Sequence, residues 1–151
     1  MSNGDAVPFA TTLRVRDTCL CLHLQRAARL VARRFDAALR PLGLTSGQFS
    51  LLMSLNRPDP ASISGVATLL AMDRTTLTAA LKPLQRRLLV EVTIEAADRR
   101  SRRLRLTPGG QALLARAVPV WEATHAAIEA LLPRRNPEHL RSDLRVLSGG
   151  E

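Results

Sequence analysis

The chain of 151 residues is poor in several things at once: it has no tyrosine, aromatics make up 3%, and there are two cysteines and three histidines. Its only lysine is Lys82, so the other 21 of its 22 basic residues are arginine. No apolar run is long enough to span a bilayer, because an Arg or Asp interrupts every candidate. The opening MSNGDAVPF lacks the basic flank and apolar stretch of a secretory signal, which predicts a cytoplasmic protein with no membrane partner. Cys19 and Cys21 stand too close for an easy bridge and agree with a reducing compartment. There is no G-x-S-x-G elbow, phosphate loop or paired metal motif, so the residues offer no catalytic constellation and call for no cofactor. Internal repeats and low-complexity tracts are absent as well.

What is present is enough for one compact domain with a core of its own: 46% of residues are hydrophobic and 23% charged. The net charge is +9, and it is unevenly placed. Residues 73–107 hold nine basic and four acidic side chains, and residues 14–40 hold seven and two; both segments are net +5. Residues 108–151 hold five of each. Arginine forms bidentate hydrogen bonds to phosphate and guanine, so a field made of Arg suits nucleic acid. The same excess is compatible with a merely solvated basic surface.

Periodicity orders the elements. Leu20, Leu24, Ala28, Val31, Phe35, Leu39 and Leu42 recur in steps of three and four, predicting one long helix that Gly43 stops. Thr45 and Gln48 form a capping box for a second, short helix. Arg57-Pro58-Asp59-Pro60 breaks the chain, Ser62 caps a third helix and Asp73 a fourth, with only Ala71-Met72 between them. Two strands follow, Val90-Val92-Ile94 and Leu104-Leu106, joined by a polar tip from Glu95 to Ser101. Thr107-Pro108 then opens a fifth helix through Leu132, ended by Pro133. Asn136-Pro137 opens a terminal helix edged by Leu140, Leu144 and Leu147.

Helix, helix, short turn, helix and basic hairpin is a winged helix-turn-helix: mainly α with a small β-hairpin wing. In that arrangement a recognition helix enters the major groove of double-stranded DNA and the wing lies beside the minor groove. The recognition helix offers Arg74, Thr75, Thr76 and Thr78 in its first two turns, while Leu77, Leu81 and Leu84 face inward. Arg reads guanine, and threonine offers a hydroxyl to bases or phosphates and a methyl to thymine. The alternative is that these threonines only decorate an exposed helix.

The run Asp98-Arg99-Arg100-Ser101-Arg102-Arg103-Leu104-Arg105-Leu106-Thr107-Pro108-Gly109-Gly110 resembles the D-x-R then L-T-x-x-G signature of the MarR family of bacterial transcriptional regulators. Pro41-Leu42-Gly43-Leu44-Thr45 and Met72-Asp73-Arg74-Thr75-Thr76-Leu77-Thr78 resemble that family too, and the likeness runs from Cys19 to Leu147. It implies a single domain over 1–151, with the winged helix-turn-helix at 45–107 and dimerisation helices at 14–42 and 108–147. It further implies a homodimer, a palindromic operator, and repression relieved by a small molecule or by oxidation. Arg100 would enter the minor groove while Asp98 braces the wing; Arg99, Arg102 and Arg103 would meet phosphates or solvent. Dimerisation also follows from apolar stripes on the first, fifth and last helices that one small domain cannot cover.

Three departures stand out. Ala79-Ala80 replaces polar residues common in the family, Leu88 stands where a glycine often ends the helix, and Pro83 interrupts the recognition helix, predicting a kink or a second half that only supports. The signal is open between two readings. One is a small-molecule pocket between the first, second and fifth helices, with His23, Trp121 and His125 as lining. The other is redox sensing at Cys21, which matches the reactive cysteine of organic-hydroperoxide sensors, although the tyrosines of those relatives are missing here. Cys19 and His23, four apart, are only two ligands and do not make a metal site. A sequence-nonselective architectural DNA binder is the remaining alternative.

Overall fold

The computed structural model describes residues 6–132, 134 and 136–149. Residues 1–5, which begin the stretch read above for a secretory signal, and Pro133, expected to end the fifth helix, lie outside the described residues.

The chain runs α1 (Phe9–Thr18), α2 (Leu20–Leu39), a 3-10 turn (Arg40–Leu42), α3 (Ser46–Ser54), β1 (Ala61–Ser62), α4 (Ile63–Leu69), α5 (Arg74–Arg86), β2 (Val90–Ile94), β3 (Arg102–Leu106), α6 (Pro108–Glu129) and α7 (Pro137–Leu147). The strands form one antiparallel sheet in the order β1-β3-β2, with Val92 opposite Leu104 and Ala61 on the other side of Leu104. It is the mainly helical winged-helix fold expected from the sequence.

Side-chain caps set most helix starts. Thr45 and Gln48 form the reciprocal box at α3, and the Ser62 hydroxyl accepts from Gly65 N at α4. Asp73 accepts from Thr76 N at α5, Thr107 from Gly110 N at α6, and Asn136 from Glu138 N at α7. Each satisfies a backbone donor that the helix cannot.

Three helix ends share a second device, the paired 6→1 and 5→2 bonds of a Schellman turn. Leu44 N and Gly43 N donate to Leu39 O and Arg40 O, Met72 N and Ala71 N to Ala67 O and Thr68 O, and Leu89 N and Leu88 N to Leu84 O and Gln85 O. The left-handed residue is Gly43 in the first, but Ala71 (φ 51°) and Leu88 (φ 57°) in the others. Leu88 therefore ends α5 by taking the conformation a glycine would take. Pro83 does not end it: α5 continues to Arg86, with Leu81 and Leu84 buried, so the second half serves as support.

The core gathers Leu39, Leu44, Leu52, Leu77, Leu84 and Leu104 from four different elements and the loop after the 3-10 turn. Burial of several leucines at about 2 kcal/mol each supplies the main favourable free energy.

The structure corrects two boundaries and adds two short elements, α1 and β1. The first long helix begins at Leu20, where the apolar period begins, but a further helix, α1, precedes it and is set off by Cys19, which takes an extended conformation (ψ 109°) between the two. His23 Nε2 donates to Asp17 O across that break at 3.2 Å, so its ring serves the end of α1. The tail of the predicted helix, Arg40–Leu42, is a 3-10 turn containing Pro41. The fifth helix stops at Glu129, and Leu131 N and Leu132 N donate to Ile128 O and Glu129 O. The α conformation is disfavoured for Leu132, the residue before a proline, which accounts for the tightening. Strand β1 was not expected; two residues are too few to show a period.

Candidate DNA interface

The recognition helix α5 is seated from behind and free in front. Leu77, Leu81 and Leu84 are buried, and the opposite face exposes Arg74, Thr75, Thr78, Ala79 and Lys82 around an open depression of about 320 Å³. Ala79 and Lys82 were not among the sequence-level candidates. The signal was available, since Lys82 follows Thr78 by four and Arg74 by eight and so shares their face.

The threonines are not equivalent. Asp73 Oδ1 and Oδ2 accept from Thr76 N and Thr76 Oγ1, both at 2.7 Å. These bonds, the hydroxyl first, hold the Asp73 carboxyl below the usual carboxylate range. Thr76 is thus part of the cap. Thr78 Oγ1 donates to Arg74 O at 2.8 Å.

Behind α5, the guanidinium of Arg87 donates to Gly43 O at 2.7 Å, and the Thr107 hydroxyl donates to Leu88 O at 2.6 Å while capping Gly110 N. A Cβ on Gly110 would lie 2.1 Å from Leu89 O, so only glycine allows α6 to start this close to the α5–β2 connection. Thr107 and Gly110 fix the hairpin to both helices, which explains why the two residues go together.

In the wing, Asp98 Oδ1 accepts from Arg100 N at 2.9 Å and Asp98 O from Ser101 N at 2.9 Å. The tip is therefore a braced turn with the side chains of Arg99 and Arg100 exposed, and Arg102 is exposed on β3. Arg103 differs from the expectation of a phosphate or solvent contact. It is half-buried, its Nε donates to Glu95 Oε1 at 2.9 Å, and it joins the base of the hairpin.

The cavity has two of its three expected walls, the second helix (α3) and the fifth (α6), with α4 in place of the first. It measures about 420 Å³ and is walled by Phe49, Ser50, Met53 and Ser54 of α3, Leu69 of α4 with Leu70 after it, and Val118 and Trp121 of α6. Neither α1 nor α2 contributes. Trp121 lines it as predicted. His125 does not; it stacks on the indole (centroids 4.7 Å, 8°) and sets Nε2 3.1 Å from Glu129 Oε1. His23 sits at the α1–α2 junction instead.

Cys21 is exposed in the first turn of α2, 3.4 Å from the Gln25 amide, and Cys19 is half-buried. Among the described residues no three His, Cys, Asp or Glu side chains gather as metal ligands, and no helix is long and apolar enough to cross a membrane.

Both chain ends present uncovered apolar faces. Neither α1 nor α7 has a buried residue, and Phe9, Leu20 and Val146 are 72%, 67% and 74% exposed. The terminal helix is tied to α6 through Arg141, which pairs with Glu129 and Glu138. The hydrogen bond from Arg141 holds the Glu129 carboxyl below its usual range, and bonds from Arg145 and then Arg141 do so for Glu138.

Comparison with known proteins gives the same direction. The MarR family model matches residues 44–101. A solved transcriptional regulator, MosR of M. tuberculosis in complex with DNA, is 37% identical, with 87% of this chain and 95% of that chain covered and a TM-score of 0.80. The transcriptional repressor CouR bound to a 23-mer DNA duplex is 33% identical, covering 89% and 95%, with a TM-score of 0.79. CouR bound to p-coumaroyl-CoA is 31% identical, covering 85% and 91%, with a TM-score of 0.75. No curated protein matches by sequence.

Proposed function

The chain belongs to the MarR family of DNA-binding transcriptional regulators, and from that premise we propose that it is a homodimeric repressor released from a palindromic operator by a small molecule. The observation that carries this reading is the pairing of two free surfaces: the exposed face of α5 from Arg74 to Lys82, and the braced hairpin tip with Arg99 and Arg100. The helix suits the major groove, and Arg100 suits the electronegative minor groove beside it. Arg74, Thr75 and Thr78 take base edges, while Arg99, Arg102 and Lys82 take phosphates.

Dimerisation is supported by the uncovered apolar faces of α1, the first half of α2 and α7. A two-fold axis through them sets two recognition helices about 34–36 Å apart, one turn of DNA. A ligand-responsive state is supported by the apolar cavity, whose volume falls in the range of about 300–1,000 Å³ usual for small-molecule sites. It is supported as well by the p-coumaroyl-CoA complex of CouR.

The test is binding of the purified protein to a labelled fragment from upstream of its own gene, with random-sequence duplex as competitor. Binding that survives competitor, and that falls more than about tenfold in Arg100→Ala while the dimer persists in sedimentation, is the expected result. Equal affinity for random DNA would replace this reading with an architectural one.

One observation favours a redox input as a second reading: Cys21 is exposed and lies two residues beyond the break at Cys19. On that reading organic hydroperoxide abolishes operator binding, dithiothreitol restores it, and Cys21→Ser is indifferent to both.

A further inference from the structure

The recognition helix carries three threonines and, on its exposed face, Ala79, and the hydrogen bonds decide what those residues can offer to DNA. The hydroxyl proton of Thr76 is spent on Asp73 Oδ2 and that of Thr78 on Arg74 O. With its proton on Arg74 O, the Thr78 hydroxyl has no hydrogen left to donate to a base and keeps only acceptor lone pairs, beside which the residue presents its Cγ2 methyl; Ala79 presents only Cβ. Both residues are exposed and line the same open depression, with Arg74 and Thr75 at one end and Lys82 at the other.

We infer that Thr78 and Ala79 form a methyl strip at the centre of α5 that selects thymine through its 5-methyl group in the major groove. The inference rests on the reading of α5 as the base-contacting helix. Thymine is the one base whose major-groove edge carries a methyl. Against the strip, that methyl leaves water for an apolar contact. The amino group of cytosine or adenine, pressed against the same two methyls, loses water without gaining an acceptor. Lys82, a strongly hydrated point charge, closes one end of the strip on a phosphate, and Arg74 with the free Thr75 hydroxyl closes the other on a base edge. The operator half-site therefore holds at least one T·A pair at a fixed position opposite the strip, and the pair is read by shape and apolar contact rather than by hydrogen bonds.

The experiment starts from the full-length protein and a pool of randomised duplex DNA. The enriched duplex is then rebuilt with each thymine in turn replaced by deoxyuridine, which removes the methyl and keeps base pairing, and affinities are compared by fluorescence anisotropy. One thymine per half-site, or two adjacent ones, should weaken binding about fourfold each when replaced, the factor expected for one buried methyl. Two variants separate methyl from hydroxyl. Thr78→Val keeps a methyl at that position and should retain both affinity and the thymine preference. Thr78→Ser keeps only the hydroxyl and should bring the ratio between thymine and deoxyuridine close to one. An enriched site insensitive to deoxyuridine, or a tolerated Ser with a damaging Val, would overturn the methyl strip and leave the DNA-binding reading in place. A pool that enriches no sequence would overturn sequence-specific regulation itself, and the strip with it.

Discussion

Two neighbouring glycines at the start of α6 make opposite predictions. A Cβ added to Gly110 would stand 2.1 Å from Leu89 O, 3.0 Å from Leu89 C and 3.4 Å from Leu106 Cδ2. Relief requires the Leu89 carbonyl to retreat by about 1.3 Å or more, the distance from that clash to an ordinary contact. That carbonyl accepts from Thr107 N at 3.1 Å, and Leu89 is itself buried, so the move also disturbs the root of the hairpin. Overpacking plus a weakened hydrogen bond costs about 3 kcal/mol, which lowers Tm by about 10 °C for a domain of this size. At Gly109 the nearest atom to an added Cβ is 3.7 Å away, an ordinary contact. Gly109→Ala should therefore raise Tm by about 1–3 °C through the unfolded chain's lost freedom. Thermal unfolding of both variants at one fixed protomer concentration is the assay, since a dimer's Tm depends on concentration. Gly110→Ala melting with the wild type, or Gly109→Ala melting below Gly110→Ala, would refute the reasoning.

Leu88 is 76% exposed and holds φ at 57°, so Leu88→Gly removes left-handed strain without removing buried surface; the denaturant midpoint should rise by the equivalent of about 0.5–1 kcal/mol. The lowered pKa of Asp73 means that folding favours its carboxylate. Its contribution is complete above the unfolded value of about 3.9 and is lost as pH falls through the lower folded value. Asp73→Ala should thus melt below wild type at pH 7, with the gap closing toward strong acid. Glu129 and Glu138 share that direction, so acid should release α7 from α6, and Arg141→Ala should release it at neutral pH, read as faster amide exchange over residues 137–147.

Features written in local chemistry were readable from the sequence. The caps at Thr45, Ser62, Asp73, Thr107 and Asn136 each need a side chain and a donor two or three residues away, and all five formed as expected. The split into a buried Leu77-Leu81-Leu84 face and an open Arg74-Thr75-Thr78 face followed from the helical period. What was illegible depends on partners distant in the chain or on backbone choices that carry no composition signal. Nothing in the residue types marks α1 as a helix ahead of the apolar run that starts at Leu20, or Cys19 as the extended residue between them. The pairing of Arg103 with Glu95 requires the strand register, which brings Thr93 opposite Arg103. The third wall of the cavity is Leu69 at the end of α4 and Leu70 just after it, in place of the first helix, facing Trp121. With Leu88 where relatives often have glycine, another device had to end α5, but residue types did not say which: Leu88 takes the left-handed conformation itself and makes the same two bonds.

The central claim is that α5 lies in the major groove and the hairpin tip in the minor groove, twice, about one turn apart. Hydroxyl-radical footprinting on the enriched duplex tests it most directly, comparing wild type with Arg100→Ala. The account predicts two equivalent protected half-sites flanked by minor-groove protections, and selective loss of those flanks in Arg100→Ala. A single unsymmetrical footprint, or flanks that survive the loss of Arg100, would contradict it.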